Sequence, residues 1–141
     1  MAPGRPTVYS GPVPAREPAR PLRLVVIDDE PMFLELIRER LRNRPELELV
    51  GVATDGPEGI ELVRALRPDV VIVDVFMPRM NGFLVARNLR DQFPLLRIVL
   101  ISADGDPAHA VAARAAGAEA FVDKRDLTPA NLVKLLNGAG V

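Results

Sequence analysis

Cysteine and tryptophan are absent from the 141-residue chain, and histidine and tyrosine occur once each. Without a thiol there is no disulfide framework, no zinc–thiolate site and no cysteine nucleophile. With His109 as the sole imidazole, a metal site would have to use oxygen donors, which favours a hard cation such as Mg²⁺. Serine and threonine are scarce too, at Ser10, Ser102, Thr7, Thr54 and Thr128, and the only lysines are Lys124 and Lys134, against sixteen arginines. No apolar run approaches the roughly 20 residues that cross a bilayer, and the N-terminus lacks the apolar segment of a signal peptide. The net charge is −1 with no basic block, so no direct nucleic-acid binding and no membrane partner are expected. The expected setting is the cytoplasm.

What is present is ordinary for a globular domain: 48% hydrophobic and 26% charged residues, enough for one core. The first 21 residues differ, holding six of the fourteen prolines. Proline removes backbone donors, and few large apolar side chains are available there to bury, so residues 1–21 read as a flexible Pro/Arg-rich tail. Residues 22–141 read as the folded domain.

Within that domain, short apolar runs alternate with amphipathic stretches. Leu22–Ile27, Leu47–Thr54, Asp69–Asp74, Arg97–Ser102 and Ala118–Asp123 read as strands, and their continuous Val/Ile/Leu character marks burial on both faces. Pro31–Asn43, Pro57–Leu66, Gly82–Gln92, Asp106–Gly117 and Thr128–Asn137 read as helices. Prolines near the first turns, Thr128 as an N-cap, and Gly117 and Gly138 as stops punctuate them. Five strands each followed by a helix imply parallel pairing through right-handed crossovers. Five units are too few for an eightfold barrel, so the expected fold is an open, doubly wound, five-stranded parallel sheet.

Such sheets bind ligands beyond the carboxyl ends of their strands. Those ends carry Asp28, Asp29 and Glu30, then Thr54 and Asp55, then Asp74, then Ser102 with Asp104, then Asp123 and Lys124. Each alone has an ordinary explanation as a cap, a turn residue or a surface charge. Together they place three acids, a rare hydroxyl and a rare ammonium around one crevice. Three clustered carboxylates repel unless a cation sits among them, and Mg²⁺ takes such ligands while keeping several waters. Asp28, Asp29 and Asp74 with one Mg²⁺ and Lys124 make a neutral pocket. Carboxylates act as phosphoryl acceptors, and the added charge falls where the metal and lysine offset it.

LRLVVIDDE, PDVVIVDVFMPRMNG, IVLISA and AFVDK resemble the receiver domain of two-component response regulators, and the resemblance covers Leu22 to about Gly138. It implies a flavodoxin-like (βα)5 fold with strand order 2-1-3-4-5. It also implies a signalling domain, rather than a separate-substrate enzyme, that supports its own Mg²⁺-dependent phosphotransfer and autodephosphorylation. By the resemblance Asp74 is the phosphoacceptor. Asp29, Asp28 (largely through water), Asp74 and the backbone carbonyl of Phe76 hold Mg²⁺. Ser102 and Lys124 bind phosphoryl oxygens. Phe121 is the switch aromatic that moves with Ser102, although read alone it is equally a core aromatic of a strand. The implied partners are a sensor histidine kinase and a second copy of the chain on phosphorylation.

Two departures from the family pattern stand out. Lys124 is followed by Arg125 where many members have a cis proline. Phe76 and Asp104 occupy positions, two after Asp74 and two after Ser102, that modulate phosphorylation and dephosphorylation rates in the family. K-x-x-L-x-P-x-x-L from Lys124 to Leu132 is similar to receivers joined to a LuxR-type helix-turn-helix. The chain therefore reads either as a single-domain regulator or as an excised receiver. A carboxylate-nucleophile phosphatase would need an acid at Phe76. GVATDG has Pro57 where a phosphate loop needs lysine, and no dinucleotide fingerprint is present. A degenerate receiver serving only as a binding module is the remaining alternative, and the intact acid cluster argues against it.

Overall fold

The computed structural model describes residues 20–138, so the expected tail, apart from Arg20 and Pro21, lies outside the described residues. The elements in chain order are β1 (Leu22–Ile27), α1 (Pro31–Leu41), β2 (Leu47–Ala53), α2 (Gly56–Leu66), β3 (Val70–Asp74), α3 (Gly82–Gln92), β4 (Arg97–Ser102), α4 (Ala108–Ala115), β5 (Ala120–Asp123) and α5 (Pro129–Leu136). A single 3-10 turn, Lys124–Asp126, joins β5 to α5. The strands form one sheet, parallel as the alternating pattern implies and in the order β2-β1-β3-β4-β5 that the resemblance implies.

Side chains alternate across the sheet and divide the core into two layers. Leu24, Val26, Val70, Ile72, Val99 and Ile101 pack with Phe33, Leu34, Ile37 and Leu41 of α1 and Leu132, Leu135 and Leu136 of α5. Val25, Ile27, Val71, Val73, Ile98 and Leu100 face the other way, onto Ile60 and Val63 of α2, Val85, Ala86 and Leu89 of α3, and Ala113 of α4. All five residues of β3 are buried, which is why that strand reads as a continuous apolar run ending in one carboxylate.

Local chemistry sets the ends of the helices. The Asp55, Asn81 and Thr128 side chains accept the backbone N–H groups of Glu58, Leu84 and Asn131 at the starts of α2, α3 and α5, satisfying donors a helix start leaves unpaired. α4 is shorter than the expected Asp106–Gly117. At its start Asp106 takes the Ala108 N–H on its own carboxylate. At its end Gly117 adopts φ +100°, and Ala118 still donates to the Ala113 carbonyl. That backward bond holds Ala118 out of the sheet, so β5 begins at Ala120 instead. α1 likewise stops at Leu41, where the Arg42 N–H turns to the Glu39 carbonyl in a tighter turn.

Asp69, expected to open β3, lies just before it. Its carboxylate takes both Arg20 guanidinium nitrogens at 2.9 and 2.8 Å and the Arg23 N–H at 2.8 Å. These contacts hold its carboxyl below the usual carboxylate range, chiefly through the Arg20 hydrogen bonds. No cis peptide bond occurs among the described residues, so Lys124–Arg125 is trans.

Candidate functional site

The site forms where β1 and β3 end side by side. Ile27 pairs with Val73, so Asp28 and Asp74 emerge next to each other, on the parity of the layer beneath α1 and α5. The Asp28 N–H is still tied to the Ala53 carbonyl and the Val75 N–H to the Ile101 carbonyl, so both carboxylates stand on ordered backbone. Gly82 lets α3 approach this corner: its N–H donates to the Val75 carbonyl at 2.8 Å, and a Cβ there would lie 2.4 Å from the Asp74 carbonyl oxygen. The glycine of the M-N-G sequence is therefore required for the loop after Asp74 to close.

Asp28 is fully buried and Asp74 is 5% exposed, while Asp29 faces solvent. Carboxylate oxygens of all three lie within 4.8 Å of one another. The Lys124 ammonium is 2.7 Å from Asp28 Oδ2 and 3.5 Å from Asp74 Oδ2. Burial and then the Asp28 charge push the Asp74 carboxyl up to about 6, against the pull of Lys124. Burial also raises Asp28, with Lys124 and the Glu30 N–H on its Oδ1 working the other way. Burial works against the Lys124 charge, but its contacts with Asp28, Asp74 and Glu30 together raise its pKa.

One ammonium against three acids leaves the pocket short of positive charge. A cluster of oxygen donors with a buried, incompletely neutralised pair fits a hard divalent cation better than a soft one. Asp28, Asp29 and Asp74 are the side chains available to hold it.

Ser102 is fully buried at the end of β4, and its Oγ accepts the Asp104 N–H at 3.1 Å. Ser102 pairs in register with Asp123, so the hydroxyl and Lys124 come from adjacent strand ends. Lys124 itself is the first residue of the 3-10 turn, which the Asp123 side chain caps by accepting the Arg125 N–H at 2.8 Å. Phe121 is half-buried on β5, and Phe76 is 53% exposed on the loop after β3. Asp28, Asp74 and Lys124 are thus in contact, with Asp29 beside the two acids, Ser102 lies one strand away, and Phe121 belongs to a separate aromatic group.

Three residues near the site carry no site role in the reading of the sequence, although Glu30 stands there among the strand-end acids. Glu30 reaches Lys124 at 3.5 Å, and the Phe33 ring lies beneath the same ammonium at 4.5 Å from its centroid. Glu30 follows two acids and Phe33 sits on the buried face of α1, so a cap and a core residue explain each at the level of sequence. Only the folding of α1 over the end of β5 reveals the third and fourth neighbours of Lys124. His109 is the third residue, packed among Phe76, Phe83 and Phe121; its being the sole histidine was the available signal.

The acid cluster and lysine stand at the switch point between β1 and β3, where open α/β domains of this class bind their ligands. Comparison with known proteins is specific. Residues 24–137 match the response regulator receiver domain, and the chain belongs to that family. The nitrate/nitrite response regulator NarL of Escherichia coli (strain K12) is 34% identical over 119 residues, covering 84% of this chain and 55% of NarL. The protein-glutamate methylesterase/glutaminase 3 of Geobacter sulfurreducens is 42% identical over 87 residues, covering 62% of this chain and 24% of that protein. The chain thus spans about half or less of the length of these relatives. Among solved structures, the signal receiver domain of NarL from Mycobacterium tuberculosis superposes with a TM-score of 0.75 at 38% identity, covering 86% of this chain and 98% of that one. The isolated receiver of RcsB from Salmonella enterica serovar Typhimurium, solved in the presence of the phosphomimetic BeF3⁻, gives 0.75 at 25% identity, covering 86% and 92%. Among the described residues no helix is long and apolar enough to cross a membrane.

Proposed function

We propose that this receiver accepts a phosphoryl group on Asp74 from the phosphohistidine of a sensor kinase and thereby controls an output. The contact of Lys124 with both Asp28 and Asp74 carries the reading, because it sets a cation beside the one acid that ends a central strand. Asp74 brings an oxygen nucleophile without a proton to remove. Its oxygen forms a bond to phosphorus while the phosphorus–nitrogen bond of the donor breaks, and the leaving imidazole takes the electron pair and later a solvent proton. The product is an acyl phosphate on Asp74.

The catalytic demand is positioning and charge neutralisation. Lys124 faces one phosphoryl oxygen and Ser102 donates its hydroxyl proton to another. Mg²⁺, held by Asp28, Asp29, Asp74 and the Phe76 carbonyl, would offset the phosphoryl charge and orient the donor. The Asp74 carboxyl, pushed up to about 6, shows how strongly the pocket resists a lone negative charge, and this penalty eases once compensating cations are in place. Transcriptional control through an attached effector, the arrangement suggested by the likeness to NarL, and phosphorylation-dependent pairing with a second copy are the outputs we favour. Cytoplasmic residence belongs to the same reading.

The test is labelling by acetyl phosphate with Mg²⁺, read by intact mass. One added phosphoryl group is expected on the wild type and none on Asp74→Asn; equal labelling of both would remove Asp74 from the role.

A further inference from the structure

Three of the five phenylalanines gather round the only histidine. The His109 ring on α4 makes edge contacts with Phe76, at 5.1 Å between centroids and 73° between planes, and with Phe121, at 5.7 Å and 67°. Phe83 of α3 lies tilted against it at 6.3 Å. Phe76 stands two residues after Asp74, and Phe121 three before Lys124. His109 Nδ1 is buried with no hydrogen-bond partner among the described residues, 3.9 Å from Asp104 Oδ1. Asp104 in turn gives its N–H to Ser102. One side chain therefore touches the loop after the acceptor, the loop after the buried hydroxyl and the half-buried aromatic of β5.

The rest of α4 offers little else to hold it. Its one buried residue is Ala113, Val111 is 75% exposed, and at its start the Asp106 carboxylate accepts the Ala108 N–H. A helix with so little buried apolar area opens at small cost, so its placement depends heavily on its one large packed ring. Aromatic edge contacts are directional, so a shift of Phe76 or Phe121 changes the packing of the His109 ring.

Resting on the acceptor reading of Asp74, we propose that His109 is a positioning residue that couples the loop after Asp74 to Phe121 and α4 through its ring contacts. A change at the acceptor then reaches the α4–β5 surface through one side chain, with a physical link that can be cut.

The experiment compares wild type, His109→Ala and His109→Phe as full chains, with and without beryllofluoride and Mg²⁺, by amide hydrogen exchange and by the ring signals of Phe121. In the wild type, the Val75 amide, the amides from Ala110 to Ala116 and the Phe121 ring should all respond. In His109→Ala the Val75 response should persist, while α4 and Phe121 lose at least half of theirs. The α4 amides of that variant should also exchange roughly tenfold faster without the probe, with α1 and α2 unchanged. His109→Phe, which keeps a ring and loses the nitrogens, should restore the wild-type response. If His109→Ala retained the full α4 and Phe121 response while Val75 responded, the coupling would be overturned and the acceptor reading left standing. Failure of His109→Phe to restore the response would also overturn it. No response at Val75 in the wild type would overturn the acceptor reading and the coupling with it.

Discussion

The Lys124 ammonium sits closer to Asp28, at 2.7 Å, than to Asp74, at 3.5 Å. Asp28 is the more deeply buried of the two acids, and among the described residues it pairs with no second cation. Lysine at this position therefore has a structural duty alongside the proposed binding of a phosphoryl oxygen.

Removing that ammonium strands a buried charge. Lys124→Ala should destabilise the domain by about 3 kcal/mol in metal-free buffer, the usual scale for breaking one side of a buried pair. Mg²⁺ should recover part of the loss and should bind at least as tightly as to wild type, since a competing cation is gone. Asp28→Asn combined with Lys124→Ala should cost clearly less than the sum of the single changes. Urea denaturation with and without Mg²⁺ measures all of this; additive losses would show that the two residues do not interact.

The Asp74 carboxylate carries a pH signature. Its pKa is raised from 3.8 to about 6, so the folded state retains a proton that the unfolded state has lost. The stability it supplies as a neutral acid is present below about pH 4 and disappears as pH rises through 6. Asp74→Asn should thus be more stable than wild type at pH 7.5 without metal, by up to about 2–3 kcal/mol for a shift of this size. The gap should close toward pH 4 and shrink when Mg²⁺ is added. Thermal melts across that range check it; a gap independent of pH would place its origin elsewhere.

Among the three acids, Asp29 is the exposed one and has no lysine contact among the described residues. It is the acid freest to serve a cation directly. Asp29→Ala should weaken Mg²⁺ binding by about tenfold or more, since a hard cation loses one of its few protein ligands, while leaving urea stability in metal-free buffer unchanged or improved. Calorimetric titration decides; unaltered affinity would remove Asp29 from the ligand set.

Phe33 underlies the lysine. Its ring centroid lies 4.5 Å from Lys124 Nζ, a geometry in which the ring face attracts the ammonium. Phe33→Leu should slow acetyl phosphate labelling several-fold with little change in Mg²⁺ affinity, and cost about 1–2 kcal/mol of stability from lost packing and cation attraction. Phe33→Tyr should restore the rate. Equal labelling of Phe33→Leu and wild type would make the ring a core residue only.

How much of this was legible depended on whether a residue acts through its own strand or through a neighbour. Val70–Asp74 announced both its burial and its terminal acid, because every residue of a doubly covered strand must be apolar until the chain leaves the sheet. Proline at the starts of α1, α2 and α5 and the side chains of Asp55 and Thr128 marked the helix starts. The start of β5 was misplaced because the bond from Ala118 back to Ala113 overrides a strand-like sequence. Glu30, Phe33 and His109 stayed hidden for another reason: their partners lie across the fold, and a ring under an ammonium leaves no periodic trace in the chain.

The central claim, that Asp74 is the acceptor, is tested most directly by trapping the acyl phosphate. Protein labelled with acetyl phosphate and Mg²⁺ is treated with borohydride, which reduces an acyl phosphate to the corresponding alcohol, and the converted residue is located by peptide sequencing. Conversion of Asp74 to homoserine, with Asp28 and Asp29 intact, is the expected result. Conversion at Asp28 or Asp29 in place of Asp74, or none in protein that carries the phosphoryl mass, would contradict the account.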